Sequence, residues 1–325
     1  MFETLVVALL PSVITVILGF VAAKRHDFVA ADASVLIKMV MHYALPLALF
    51  VGTIRTTRVS LLDDVPLLIG LFVAMVALYV VVLFTGRLVF HASWGASALA
   101  ARAASAPNFA YIGPPVLGSL YGPASSVPIA VGNTLLVLTL FPATVVLLTL
   151  DTQTRATAGE PGDGQAHGTG SATPNIPSIL GHAFAQPIVW MPLLALAMVM
   201  LGVQIPPPAA ATLDLLGQSA TGVALFSAGI VIAAYQVKIT RVVVTLALLK
   251  NIGQPALLML ALLSLGYTNP LLGEAVVTTA LPAIVSIALL GVQYGVAQSL
   301  TASTLFLSLI GSLATLSLFI ALTGA

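Results

Sequence analysis

A chain of 325 residues that is 59% hydrophobic and 6% charged, with a mean hydropathy of +1.12, reads as an integral membrane protein, because soluble domains carry about 25% charged residues. Its net charge of +1 excludes a field that would gather nucleic acid, and the absence of cysteine excludes disulfides and thiolate metal sites. No grouping of His, Asp and Glu has metal-ligand spacing, and no Ser/His/Asp arrangement is readable, so a membrane enzyme is disfavoured.

Apolar runs of about 20 residues predict ten spans. In the first half they lie near residues 4–23, 34–54, 65–90, 95–120 and 124–150. In the second half they lie near 178–203, 208–235, 241–266, 271–294 and 298–322. The first run, Leu5 to Ala23, is preceded by Glu3 rather than a basic segment and followed by Lys24 and Arg25. That pattern predicts a retained first helix and not a signal peptide.

The fourth span, Trp94 to Gly122, is interrupted by APNFAYIGPP, which contains Pro107, Asn108, Gly113, Pro114 and Pro115. Proline removes backbone donors and clashes with the preceding turn, so freed N–H and C=O groups must face protein, water or a ligand at membrane depth. Further along, Asp151 to Asn175 is rich in Gly, Thr, Ser and Pro without apolar periodicity, which predicts a flexible cytoplasmic linker over 151–176 between repeats at 1–150 and 177–325. The ninth span then echoes the fourth: LLGVQYGVAQSL (Leu289 to Leu300) matches VLGSLYGPASSV (Val116 to Val127), and it too follows a break, at Leu281-Pro282. Paired interrupted spans in two halves point to a transporter's binding site. Five crossings per half, an odd number, invert the second repeat relative to the first.

The charges orient the chain. With both termini outside, the inner loops hold Lys24, Arg25, Lys38, Arg87, Arg155, Lys238 and Arg241, and the outer loops hold Arg55 and Arg58. Arg102 and Lys250 are left inside their spans, where a cation costs roughly 2.5 to 3.5 kcal/mol. Each either snorkels or pairs with a buried carbonyl, or belongs to a polar interior. The neighbours Asn251 and Gln254 favour the interior for Lys250. Asp214 and Glu274, near outer span ends, are candidate buried carboxylates whose plainer place is the interface. His42 and His182 are placed at span ends.

A helix broken in mid-membrane exposes N–H groups carrying roughly half a positive charge at the start of its second half. Two such ends at one site suit a carboxylate. Asn108 either caps the break or binds the substrate, and the two roles are compatible; Ser105, Thr278, Thr279 and Ser286 are weaker candidates.

The motif Pro107-Asn108 with Gly113, Pro115-Val-Leu and then Tyr121-Gly122 resembles the fourth-span signature of the auxin efflux carrier family, PN-x-x-x-x-G-x-P-L-L and YG. HYALPLALF (His42 to Phe50), VALFSAGIVIA (Val223 to Ala233) and ALPAIVSIALLGVQYG (Ala280 to Gly295) are similar to its second, seventh and ninth spans. Two positions depart from the pattern: Pro114 stands where the family usually has an aliphatic residue, and Ile287 where plant members have a second proline.

The resemblance implies the bile acid/sodium symporter-like fold: an all-α membrane protein of ten helices in two inverted five-helix repeats. In that fold spans 4 and 9 cross where they are broken. Spans 1, 2, 6 and 7 form a scaffold, the remainder a transport domain, and movement of one against the other alternates access as in an elevator. By position the substrate site would include Asn108, Gly113, Pro115, Pro282 and Ser286, faced by Leu45 and Pro46, with Arg102 and Lys250 as candidate anion partners.

Bacterial members of this kind are often assigned to malonate or related dicarboxylates, so a malonate-type anion in a bacterial inner membrane is the expectation. An anion channel or a sodium-coupled symporter of another organic acid are the alternatives; the few polar residues inside the spans argue against a channel's continuous polar lining. No cofactor is implied. Proton or sodium coupling are both open, and the expected partners are a small organic anion, the lipid bilayer and a second copy in a homodimer.

Overall fold

The computed structural model describes residues 2–55, 65–157, 185–203 and 205–324. Arg58, His182, the linker beyond Thr157 and the start of the sixth expected span lie outside the described residues. Within them the protein is all-helical apart from one isolated bridge.

In chain order the helices are α1 (Phe2–Lys24), α2 (Ala30–Ile54), α3 (Val65–Leu88), α4 (Trp94–Ser105), α5 (Gly113–Tyr121) and α6 (Ser126–Thr157). They continue with α7 (Pro187–Met200), α8 (Pro207–Ala234), α9 (Arg241–Ser264), α10 (Leu271–Ala280), α11 (Ser286–Tyr294) and α12 (Gln298–Thr323). Six of these, α2, α3, α6, α8, α9 and α12, are long and apolar enough to cross a membrane. Three carry a π turn in mid-course: α2 at Val40–Ala44, α6 at Leu136–Leu140 and α9 at Leu249–Gly253.

Two expectations shift at the edges. The helix of α6 runs on to Thr157, beyond the boundary at 150. Asp151 pairs with Arg155 at 3.1 Å one turn on, and DTQTRAT contains neither Gly nor Pro to stop the helix. His42 sits on the π turn in the middle of α2, exposed on its outer face, with Nδ1 3.1 Å from the Lys38 carbonyl.

α1 and α8 make the most extensive helix contact, and α2 packs on both α7 and α8. Glycine is what lets α1 and α8 approach: a Cβ on Gly19 would run into the Phe226 carbonyl, and one on Gly229 into the Val16 carbonyl. Around the second group, α3 packs on α4, α4 on α6, and α12 on α9, α10 and α11. Helices with apolar side chains on every face, such as α3, leave many of them exposed, as a lipid-facing surface requires.

Candidate functional site

α4 starts at Ser93, whose hydroxyl caps the Ala96 N–H at 3.2 Å. The helix stops at Ser105 because a residue before proline is driven out of the helical region; Ala106, ahead of Pro107, has φ −105° and ψ 107°. The same rule ends α10, where Leu281 ahead of Pro282 has ψ 145°. α5 then restarts on Gly113-Pro114-Pro115, where proline suits the first helical turn.

The two breaks satisfy each other. Asn108 N–H donates to the Pro282 carbonyl at 2.9 Å and Ile284 N–H to the Ala106 carbonyl at 3.0 Å, an antiparallel bridge between Pro107 and Ala283. Each unpaired group here would cost several kcal/mol in a membrane, so the bridge is what makes two broken helices tolerable. The Asn108 carbonyl also accepts from Ile112 and Gly113, at 3.2 and 3.0 Å.

α9 supplies the remaining partners. Gln254 Nε2 donates to the Ser105 carbonyl at 2.8 Å, and Lys250 Nζ to the Thr279 carbonyl at 2.6 Å. Asn251 and Ser308 exchange two bonds, Nδ2 to the Ser308 carbonyl at 2.8 Å and Ser308 Oγ to Asn251 Oδ1 at 2.6 Å. Ser308 Oγ in turn accepts the Ala283 N–H at 2.8 Å. The amides and ammonium on one helix thus hold the loose ends of both breaks.

Beside the crossing is a cavity of about 20 Å³, room for about one water molecule. Arg102, Asn133, Tyr111 and Ser286 line it, with Leu45, Leu49, Ile188 and Phe141 among its apolar walls. Arg102 is 1% exposed; its Nη2 donates to Ser286 Oγ at 3.4 Å, its guanidinium lies 4.9 Å over the Phe141 ring, and Nε and Nη1 have no protein partner. The ion pairs among the described residues, Arg55 with Asp214 at 2.9 Å and Arg155 with Asp151, leave Arg102 without a carboxylate. A buried charge that lacks its counterpart is costly, and an anion entering this cavity would supply it.

Over residues 4–320 the sequence matches the family described as "Membrane transport protein". The chain belongs to that family of auxin efflux carrier-like transporters. It is similar, at 28% identity over 312 residues covering 96% of this chain and 95% of the relative, to "Uncharacterized transporter YfdV" of Escherichia coli strain K12. The proteins of the same description from Escherichia coli O157:H7 and Shigella flexneri match equally. The family is one of transporters and not of enzymes.

In this transporter Arg102, Ser286 and Leu45 meet at the cavity. Gly113 and Pro282 are buried in the crossing, Pro115 is half-buried in the first turn of α5, and Pro46 is buried in α2. Asn108 is fully buried in the break, yet neither its Oδ1 nor its Nδ2 has a protein partner. Lys250 does not line the cavity, since it is turned onto Thr279. Ser105 and Thr279 spend their hydroxyls on their own helices, whereas Thr278 Oγ1 is buried without a partner. Asp214 takes the plainer place, bound to Arg55 and Gln218 near the surface, and Glu274 is half-buried in the first turn of α10.

Sequence reasoning missed Asn133, Tyr111, Phe141, Leu49 and Ile188. Asn133 carried a signal as an amide inside the apolar run of α6, and Tyr111 lies within the break itself. Phe141 and the two aliphatic residues looked like every other apolar position.

Proposed function

We propose that the protein is a secondary transporter of a small organic anion, held with a carboxylate on Arg102. The observation that carries this is the Arg102 guanidinium: buried, lacking a carboxylate among the described residues, and facing a cavity that also holds Ser286 at the start of α11. The partial positive charge of that helix start adds to the arginine's field. A dicarboxylate such as malonate is the finer proposal, with one carboxylate on Arg102 and the other toward Asn133 and Ser286; its single methylene suits the apolar walls.

The cavity has room for a water molecule but not for a malonate, so binding requires the helices around it to part. Its walls divide unevenly: Leu45 and Leu49 come from α2 and Ile188 from α7, while Arg102, Asn133, Phe141 and Ser286 come from α4, α6 and α11. In this proposal α1, α2, α7 and α8 are the scaffold and the other helices the moving body, in two inverted repeats of five spans, with elevator-type alternation. The side of the cavity formed by α2 and α7 is apolar and every polar lining residue lies on the other side, which supports that reading, as does the packing of α8 on α1 and α2 and of α2 on α7. The lysine and arginine distribution supports both termini lying outside, which is periplasmic in the bacterial inner membrane suggested by the likeness to the Escherichia coli and Shigella transporters.

Uptake of labelled malonate into proteoliposomes, under imposed proton or sodium gradients and with acetate and propionate as competitors, tests it. Saturable malonate uptake is expected. Transport of monocarboxylates alone would discard the dicarboxylate and keep the anion, and non-saturating flux of any anion would favour a channel.

A further inference from the structure

Where a helix ends inside a membrane, its last carbonyls have no partner within the helix and together carry about half a negative charge. Interrupted helices of secondary transporters commonly offer such carbonyls to a monovalent cation. α10 ends in this way at Ala280, next to the crossing, and its Thr279 carbonyl is occupied by the ammonium of Lys250. Lys250 is 0% exposed and belongs to neither ion pair among the described residues.

Two further oxygens on the same two helices are unpaired. Gln254 Oε1 and Thr278 Oγ1 are buried oxygens without a protein partner, the one a single turn from Lys250 on α9 and the other adjacent to Thr279 on α10. Just beyond this end the Ala283 N–H donates to Ser308 Oγ, which in turn donates to Asn251 Oδ1. The π turn Leu249–Gly253, which contains Lys250 and Asn251, adds a residue to the turn and brings Lys250, Asn251 and Gln254 to the crossing together.

We propose that Lys250 Nζ is a tethered cation, standing permanently where an exchangeable sodium ion would otherwise neutralise the end of α10. It is a positioning residue for the crossing and makes no contact with the transported anion. The chain therefore needs no dissolved cation at this position. This inference goes beyond the anion-transport proposal and its test requires no knowledge of the substrate.

The test is thermal unfolding of the purified full-length protein in detergent, in sodium chloride, methylammonium chloride and choline chloride at equal ionic strength. The natural protein should melt at the same temperature in all three. Lys250→Ala should melt lower in choline and regain several degrees in sodium or methylammonium, because either ion fits the space of the lost ammonium and choline does not. A sodium-specific rise in the natural protein would overturn the proposal, and so would a folded Lys250→Ala that ignores all three cations. If the variant cannot be recovered folded in choline, its preparation in the other two salts decides: folded protein in either supports the tethered cation, and folded protein in neither overturns it.

Discussion

Arg102 combines two costs that an anion would relieve at once, a desolvated charge and N–H groups without acceptors. Arg102→Met keeps most of the apolar volume and removes both. Its thermal midpoint should be unchanged or higher, while the apparent substrate constant rises roughly 10- to 100-fold, the loss of charge-assisted hydrogen bonds worth about 1.5–3 kcal/mol. Paired melting and uptake measurements check this, and a variant that melts lower but transports normally would make Arg102 a structural residue. Asn108 is the second residue with unspent polar atoms. Asn108→Ala removes buried groups that no protein atom satisfies, so folding should be intact and uptake lost; normal uptake would take Asn108 out of the site.

At the scale of elements, the prolines define where the helices stop, and the partners of the freed groups determine whether that can be afforded. Ser308 is the sharpest example, because its hydroxyl serves both the Ala283 N–H and Asn251. Ser308→Ala should destabilise by about 1–3 kcal/mol, the penalty for a buried group left unpaired; a melting temperature equal to the natural protein's would mean water takes its place. The contact of α1 with α8 rests on shape instead. Gly229→Ala puts a methyl group into the Val16 carbonyl and should cost about 1–3 kcal/mol through overpacking, readable as a lower thermal midpoint. Breaks at Pro107 and Pro282 were legible because proline acts on its own neighbours. The π turn of α9, which brings Lys250, Asn251 and Gln254 to the crossing, was not, since it arises from where those side chains find acceptors on other helices.

For the whole molecule, the uneven walls of the cavity supply the mechanical prediction. The chain has no cysteine, so a pair introduced at Leu49 on α2 and Val137 on α6, both lining the cavity, would be the sole reactive thiols. A short bifunctional, reducible thiol reagent should stop uptake by tying these helices together, and reduction should restore it. Full activity while the link is intact would rule out relative movement at this seam. Packing at this scale also divides the two intramembrane cations, of which the sequence favoured Lys250 for a polar interior: Arg102 reaches the cavity, and Lys250 reaches a carbonyl of α10.

The sequence by itself determined the membrane class, the long apolar helices and the two breaks, because apolar run length and proline chemistry act locally along the chain, and its motifs in the fourth and ninth spans pointed to the family. Asn108, Gly113, Pro282 and Ser286 were legible for the same reason, as members of the broken segments. Only the tertiary structure decided what the freed backbone groups bond to, that Leu49, Asn133, Phe141 and Ile188 share a wall with Arg102, and that Lys250 is turned away from it. Those outcomes depend on which atoms from distant segments come within hydrogen-bonding or van der Waals reach, and a Phe or Leu facing a cavity has the same letter and the same hydropathy as one facing lipid.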